Sequence, residues 1–154
     1  MSELINVKQV ERLSVENCLI ELQGASSIIT AIEASTNRIQ LLNISGNDLG
    51  NAGVKLVATI LPKLARLSIE SNEITGAGTK RFPNLNGLLS LNLYGNSIGD
   101  KGVQEISGRV KSGLRKLILE KCEIRDNGAM YVSHAIAKCE TIQLVSLSKF
   151  DKKV

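Results

Sequence analysis

At 154 residues, 43% of them hydrophobic, the chain has the length for one domain and enough apolar content for a continuous core, which excludes a disordered polymer. Only 3% is aromatic and Trp is absent, so Leu, Ile, Val and Ala must fill that core in thin, regular layers. The formal charge of +4 divides unevenly: residues 1–77 carry 6 basic and 8 acidic side chains, and residues 78–154 carry 13 and 7, leaving the second half basic on a solvated surface or toward an acidic partner.

No apolar run approaches the roughly 20 residues of a membrane helix, and no signal-peptide pattern opens the chain. Cys18, Cys122 and Cys139 are odd in number and far apart, which gives no disulfide framework and suits a reducing compartment. Cytosol is the expected location, either of the cell that makes the chain or of a host cell that receives it.

In chain order, one pattern recurs: L-x-x-L-x-L-x-x-N/C-x-L. Its first copy is Val10, Leu13, Val15 and Cys18, followed by a helical return expected over 26–35. The second is Ile39, Leu42, Ile44, Asn47 and Leu49, with a helix over 52–61 stopped by Pro62. Leu64, Leu67, Ile69, Asn72 and Ile74 form the third, whose return over 75–84 holds Gly76, Gly78 and Pro83 and predicts only a turn of helix. Leu88, Leu91, Leu93, Asn96 and Ile98 lead into a helix over 102–110, and Leu114, Leu117, Leu119, Cys122 and Ile124 into one over 128–138. The sixth copy, Ile142, Val145, Leu147 and Phe150, breaks off there, so the anchors step by 29, 25, 24, 26 and 28 residues. Residues 1–154 thus read as one repeat domain of six units.

The alternation L-x-L turns two apolar side chains inward from a short strand and one polar side chain outward. The Asn that follows uses its amide to satisfy backbone groups stranded by the turn, so stacked copies predict an Asn ladder. Cys18 and Cys122 substitute there as small side chains whose burial makes them inert, whereas Cys139 reads as a partly exposed thiol. Asn51, Asp100 and Asn127 read as helix caps, and Gly76 and Gly78 as turn residues with unusual backbone angles.

Six in-phase copies resemble the leucine-rich-repeat family, and Gly50-Asn-Ala-Gly53 with Gly99-Asp-Lys-Gly102 are similar to the turns of its ribonuclease-inhibitor-like branch. The resemblance implies an α/β solenoid, a curved right-handed βα superhelix with about six parallel strands on the concave face and short helices outside. It also implies a non-catalytic protein-binding module without cofactor. By analogy alone it extends to a bacterial effector-like protein acting on a host protein. The alternative is a regulator or inhibitor of an enzyme such as a GTPase or ribonuclease. An end strand over 145–147 with an open edge invites self-association unless the tail over 149–154 covers it.

The outward positions form three columns. One is Arg12, Leu41, Arg66, Ser90, Lys116 and Leu144; the central one is Ser14, Asn43, Ser68, Asn92, Ile118 and Ser146; the third is Glu16, Ser45, Glu70, Tyr94, Glu120 and Ser148. Charged and uncharged repeats alternate, which spaces like charges apart on strands about 4.8 Å from one another. The same arrangement sets a basic and an acidic row beside a polar centre, fit to orient a partner. Expected protein contacts are Arg12, Glu16, Asn43, Arg66, Ser68, Glu70, Asn92, Tyr94, Lys116, Ile118 and Glu120, with Tyr94 the aromatic anchor and Ile118 an exposed apolar contact.

Other chemistry finds little support in the residues. His134, the only histidine, falls on an outer helix, and no CxxC pair or histidine cluster suggests a metal. Gly76-Ala-Gly78-Thr-Lys80 lacks the order of a phosphate loop. Arg109, Lys111, Arg115, Lys116, Lys121 and Arg125 suggest a nucleic-acid surface, but interleaved acids and scarce aromatics argue against one.

Overall fold

A computed structural model describes residues 10–36 and 39–148. Each unit opens on a three-residue strand: β1 (Arg12–Ser14), β2 (Leu41–Asn43), β3 (Arg66–Ser68), β4 (Ser90–Asn92), β5 (Lys116–Ile118) and β6 (Leu144–Ser146). The returns are α1 (Leu22–Ala34), α2 (Gly50–Ile60) with a 3-10 turn at Leu61–Lys63, α3 (Gly76–Thr79), α4 (Gly99–Arg109) and α5 (Asp126–Lys138). The strands form one parallel sheet in sequence order, an open solenoid with helices on one face. The anchor expected at Phe150 and the tail over 149–154 lie outside the described residues.

The register follows the leucines. Leu13, Leu42, Leu67, Leu91, Leu117 and Val145 stand side by side across the sheet. In the inner layers Leu42, Leu67, Leu91 and Leu117 are at most 2% exposed, so the row is the spine of the core. Val54, Val57, Val103, Ile106 and Val132 pack onto it from the helices.

Behind the strands runs the polar ladder. Asn72 Nδ2 donates to the Ile44 and Glu70 carbonyls, at 3.0 Å each, and its Oδ1 accepts from the Asn47 and Leu49 amides, at 3.3 Å each. Asn47 links the first layer in the same manner, accepting from the Cys18 and Ile20 amides and donating to the Val15 carbonyl. Asn96 accepts from the Asn72 and Ile74 amides and donates to Ile69. Each Asn therefore satisfies groups from two layers at once, which only full burial makes worthwhile. Cys122 keeps half of this role: its thiol donates to the Leu93 carbonyl at 3.1 Å and also meets the Glu120 carbonyl at 3.4 Å.

Two cysteine expectations are corrected. Cys18 is exposed, in the first described layer, and its thiol donates to the nearby Glu16 carbonyl. Cys139 is buried, packed at the inner end of α5 beside Leu114 and Thr141.

The helix caps are corrected as well. Helices α2, α4 and α5 begin at Gly50, Gly99 and Asp126, so Asn51, Asp100 and Asn127 sit inside them and cap nothing. Two of these side chains work between layers instead. Asn51 Oδ1 accepts from the Thr75 amide at 2.9 Å while its Nδ2 donates to Thr75 Oγ1, and Asp100 Oδ1 accepts from the Arg125 amide at 2.7 Å. Gly78 and Gly128 make room for them: a Cβ there would lie 2.3 Å from Asn51 Oδ1 and 2.5 Å from Asp100 Oδ1. Gly76 is likewise a packing glycine, where a Cβ would stand 2.8 Å from the Ile98 carbonyl oxygen of the next layer. Neither Gly76 nor Gly78 has positive φ; that role belongs to Gly50 and Gly99, at +57° and +60°.

The third return is the single helical turn its glycines predict, and the chain after it is held by Arg109 of α4. Its guanidinium donates to the Phe82 carbonyl at 2.6 Å, the Lys80 carbonyl at 3.0 Å, and both the carbonyl and carboxylate of Glu105 at 2.7 Å. Arg109 is thereby spent on an internal tie and withdrawn from any basic surface.

The last layer shows what the stack normally covers. Leu147 is 43% exposed where Ile44, Ile69, Leu93 and Leu119 are at most 2% exposed, and Ile136 is 49% exposed where Leu61 and Val110 are 3% exposed. No helix among the described residues is long and apolar enough to cross a membrane.

Candidate binding face

The sheet face opposite the helices carries the three outward columns, and strand pairing sets them in register. Arg12, Leu41, Arg66, Ser90, Lys116 and Leu144 are successive neighbours, as are Ser14, Asn43, Ser68, Asn92, Ile118 and Ser146. Backbone bonds from Asn17 to Ser45, Gly46 to Glu70, Ser71 to Tyr94, Gly95 to Glu120 and Lys121 to Ser148 carry the pairing past the third column. All of the expected contact residues thus share one surface.

Its acidic row is tied down. Glu16 Oε1 accepts from Asn43 Nδ2 and from Ser14 Oγ, at 2.6 Å each. Glu70 Oε2 accepts from Asn92 Nδ2 at 3.0 Å, and Glu120 accepts from the Ser146 hydroxyl. Each carboxylate leans on a donor from the central column of the following repeat. The alternation of charged and uncharged repeats therefore supplies partners as well as separating charges. Asn43 and Asn92 also accept, through Oδ1, from the Ser45 and Tyr94 amides at 3.1 and 3.0 Å. In the basic row Arg12, Arg66 and Lys116 are exposed.

Tyr94 is half-buried, with Lys121 Nζ 5.2 Å from its ring centroid. The columns missed Lys121 because it lies just before the ladder cysteine. That place has positive φ where Asn17, Gly46, Ser71, Gly95 and Lys121 hold it, and among these only Lys121 sets a cation there. Ile118 is half-buried between its neighbours rather than exposed.

A recess between Glu11, Arg12, Gln40, Leu41, Ala65, Arg66 and Leu89 has a volume of about 90 Å³. That is room for a few waters, well short of the several hundred Å³ of a typical small-molecule site. His134 is exposed on α5.

Comparison with known proteins gives the same architecture. The profile of the family described as Leucine Rich repeat matches residues 39–58, 86–107 and 113–133. The chain is similar to ribonuclease inhibitor of Sus scrofa, 26% identical over 150 residues, 90% of this chain and 33% of that protein. Ribonuclease inhibitor of Mus musculus is 24% identical over 142 residues, 85% of this chain and 31% of that protein. NACHT, LRR and PYD domains-containing protein 14 of Homo sapiens is 32% identical over 124 residues, 73% of this chain and 11% of that protein. The chain thus spans about a third of the length of the ribonuclease inhibitors it matches.

Proposed function

From the premise that the chain belongs to the leucine-rich-repeat family, in its ribonuclease-inhibitor-like branch, we propose that this protein-binding module holds its partner on the open, concave face of the sheet. The contacts are Arg12, Glu16, Asn43, Arg66, Ser68, Glu70, Asn92, Tyr94, Lys116, Ile118 and Glu120. The mechanism is rigid presentation. Side chains already ordered before encounter lose little entropy on binding, about 0.5–1.5 kcal/mol less for each one fixed beforehand. The observation that carries this reading is the tied acidic row, with Glu16, Glu70 and Glu120 each held by a donor from the next repeat.

A basic row and an acidic row on opposite margins orient the partner, and six strands at about 4.8 Å spacing suit a modest, transient interface. The partner is a protein rather than nucleic acid, met in a reducing, cytoplasmic setting. Residues 1–154 act as one domain. The half-exposed Leu144 and Leu147 beside β6 favour self-association through the end strands. An effector-like role on a host protein is the narrower form of this reading and rests on family analogy.

A second reading, inhibition or regulation of an enzyme, is favoured by the likeness to proteins named ribonuclease inhibitor. Adding the purified chain to ribonucleases and GTPases separates the two, because a pure adaptor changes no rate. The binding face itself is tested by affinity capture with Tyr94→Ala and Arg66→Glu. Both should lose the captured protein; equal retention by both would place binding elsewhere.

A further inference from the structure

At one point on the open face an aromatic ring, a carboxylate and a cation meet. Asn92 is the clamp: Nδ2 holds Glu70 Oε2 at 3.0 Å, and Oδ1 holds the Tyr94 backbone amide at 3.0 Å. The Glu70 carboxylate is therefore held beside the Tyr94 backbone, just past the ends of β3 and β4, and its other oxygen is the one to meet a further donor. Lys121 Nζ stands 5.2 Å from the ring centroid, within the range at which a ring's negative face attracts a cation. The backbone at Lys121 has φ +52°, the conformation that Asn17, Gly46, Ser71 and Gly95 share at the same place in the other repeats.

We propose that Glu70, Asn92 and Tyr94 form a receptor for a cationic side chain of the docked protein, and that Lys121 occupies this receptor in the free chain as an intramolecular stand-in. The proposal rests on the open face being the binding face. Arginine is the favoured guest, since a planar guanidinium stacks on the ring while its edge donates to the free Glu70 oxygen. Lys121 reaches the ring from the loop as a point charge. The second and first repeats provide an internal control. Asn43 clamps Glu16 and the Ser45 amide with the same geometry, but Ser45 stands where Tyr94 would be, so no ring is available.

The test titrates the full chain with N-acetyl-arginine amide and with its neutral isostere N-acetyl-citrulline amide, following amide shifts by NMR. Arginine should give saturable shifts at Glu70, Tyr94 and Lys121 but not at Glu16 and Ser45, and citrulline should give none. Lys121→Gln, on an exposed turn, removes the competitor and should tighten arginine binding by about two- to five-fold, the worth of an exposed cation–ring contact. Tyr94→Leu should abolish saturation. Equal shifts with citrulline, or unchanged or weaker arginine binding in Lys121→Gln, would overturn the receptor. If the receptor fails while Tyr94→Ala and Arg66→Glu still lose the captured protein, the binding face stands. If arginine binds while both variants keep that protein, the face assignment fails and with it the receptor's role in docking, although the arginine site exists.

Discussion

Replacing Asn72 by Ala removes four hydrogen bonds from the middle of the stack. The Asn47 and Leu49 amides are left without an acceptor, whereas the Ile44 and Glu70 carbonyls each keep one donor, Asn47 Nδ2 and the Gly46 amide. Two buried orphans cost about 1–3 kcal/mol each, and relaxation recovers part, so Asn72→Ala should cost about 2–4 kcal/mol. A domain of this size has about 5–15 kcal/mol in total, so the variant would sit near the edge of folding. The protein itself supplies the intermediate case, because Cys122 donates to the Leu93 and Glu120 carbonyls but offers no amide oxygen. Asn72→Cys should therefore recover little of the cost of Asn72→Ala, because the two orphaned amides need an acceptor, and Cys122→Asn should gain about 1 kcal/mol by adding one. Urea titrations followed by far-ultraviolet circular dichroism give all three values. A cost below about 1 kcal/mol for Asn72→Ala, or full recovery by Cys, would refute the assignment of the stabilisation to the amide oxygen as acceptor.

Arg109→Ala should destabilise the chain by about 2 kcal/mol through loss of charge-assisted bonds to the Lys80, Phe82 and Glu105 carbonyls, and hydrogen exchange should accelerate locally over residues 80–85. Arg109→Lys should fail to rescue it, since an ammonium cannot span these acceptors; uniform exchange across the chain would contradict the tie. Burial raises the Cys122 thiol from 9.0 to about 11, so the folded protein keeps a proton that the unfolded chain gives up sooner. That contribution to stability is intact below about pH 9, declines above it and is lost once pH passes 11, whereas Cys122→Ala should flatten this part of the profile. A thiol reagent should find one fast site in the native protein, Cys18, and two more only on unfolding; a fast Cys122 would refute its burial.

The repeat pattern disclosed the fold because its apolar residues obey one geometry six times. Leu42, Leu67, Leu91 and Leu117 could be placed side by side from spacing alone, and the Asn residues behind them followed from the need to satisfy a buried turn. Side chains that cross from one layer to the next were illegible. Asn51 and Asp100 look like caps because short polar residues near a helix start usually are caps. Their bonds to Thr75 and Arg125 depend on how closely the layers pack, which Gly78 and Gly128 decide. Arg109 looked like surface charge for the same reason: the carbonyls it serves lie 27 and 29 residues away in sequence. On the open face, the columns located Glu70, Asn92 and Tyr94. Lys121 falls outside the strand alternation, at a turn whose positive φ it shares with Asn17, Gly46, Ser71 and Gly95, so neither the columns nor the backbone singles it out.

The split between constrained and free positions explains how such a stack acquires a specific partner. Variation in return length is absorbed in the helices, which run from 13 residues in α1 to 4 in α3, while every strand keeps 3 residues and the same register. Packing fixes the inward leucines and the ladder but leaves the side chains between them open to change. Those side chains are nonetheless not loose, since Asn43 and Asn92 each bind a carboxylate on one side and a backbone amide on the other. On the proposed binding face, a change at an outward position that preserves its donor should alter recognition with little effect on folding. A change that removes the donor frees a carboxylate and should forfeit the ordering that the proposed docking uses.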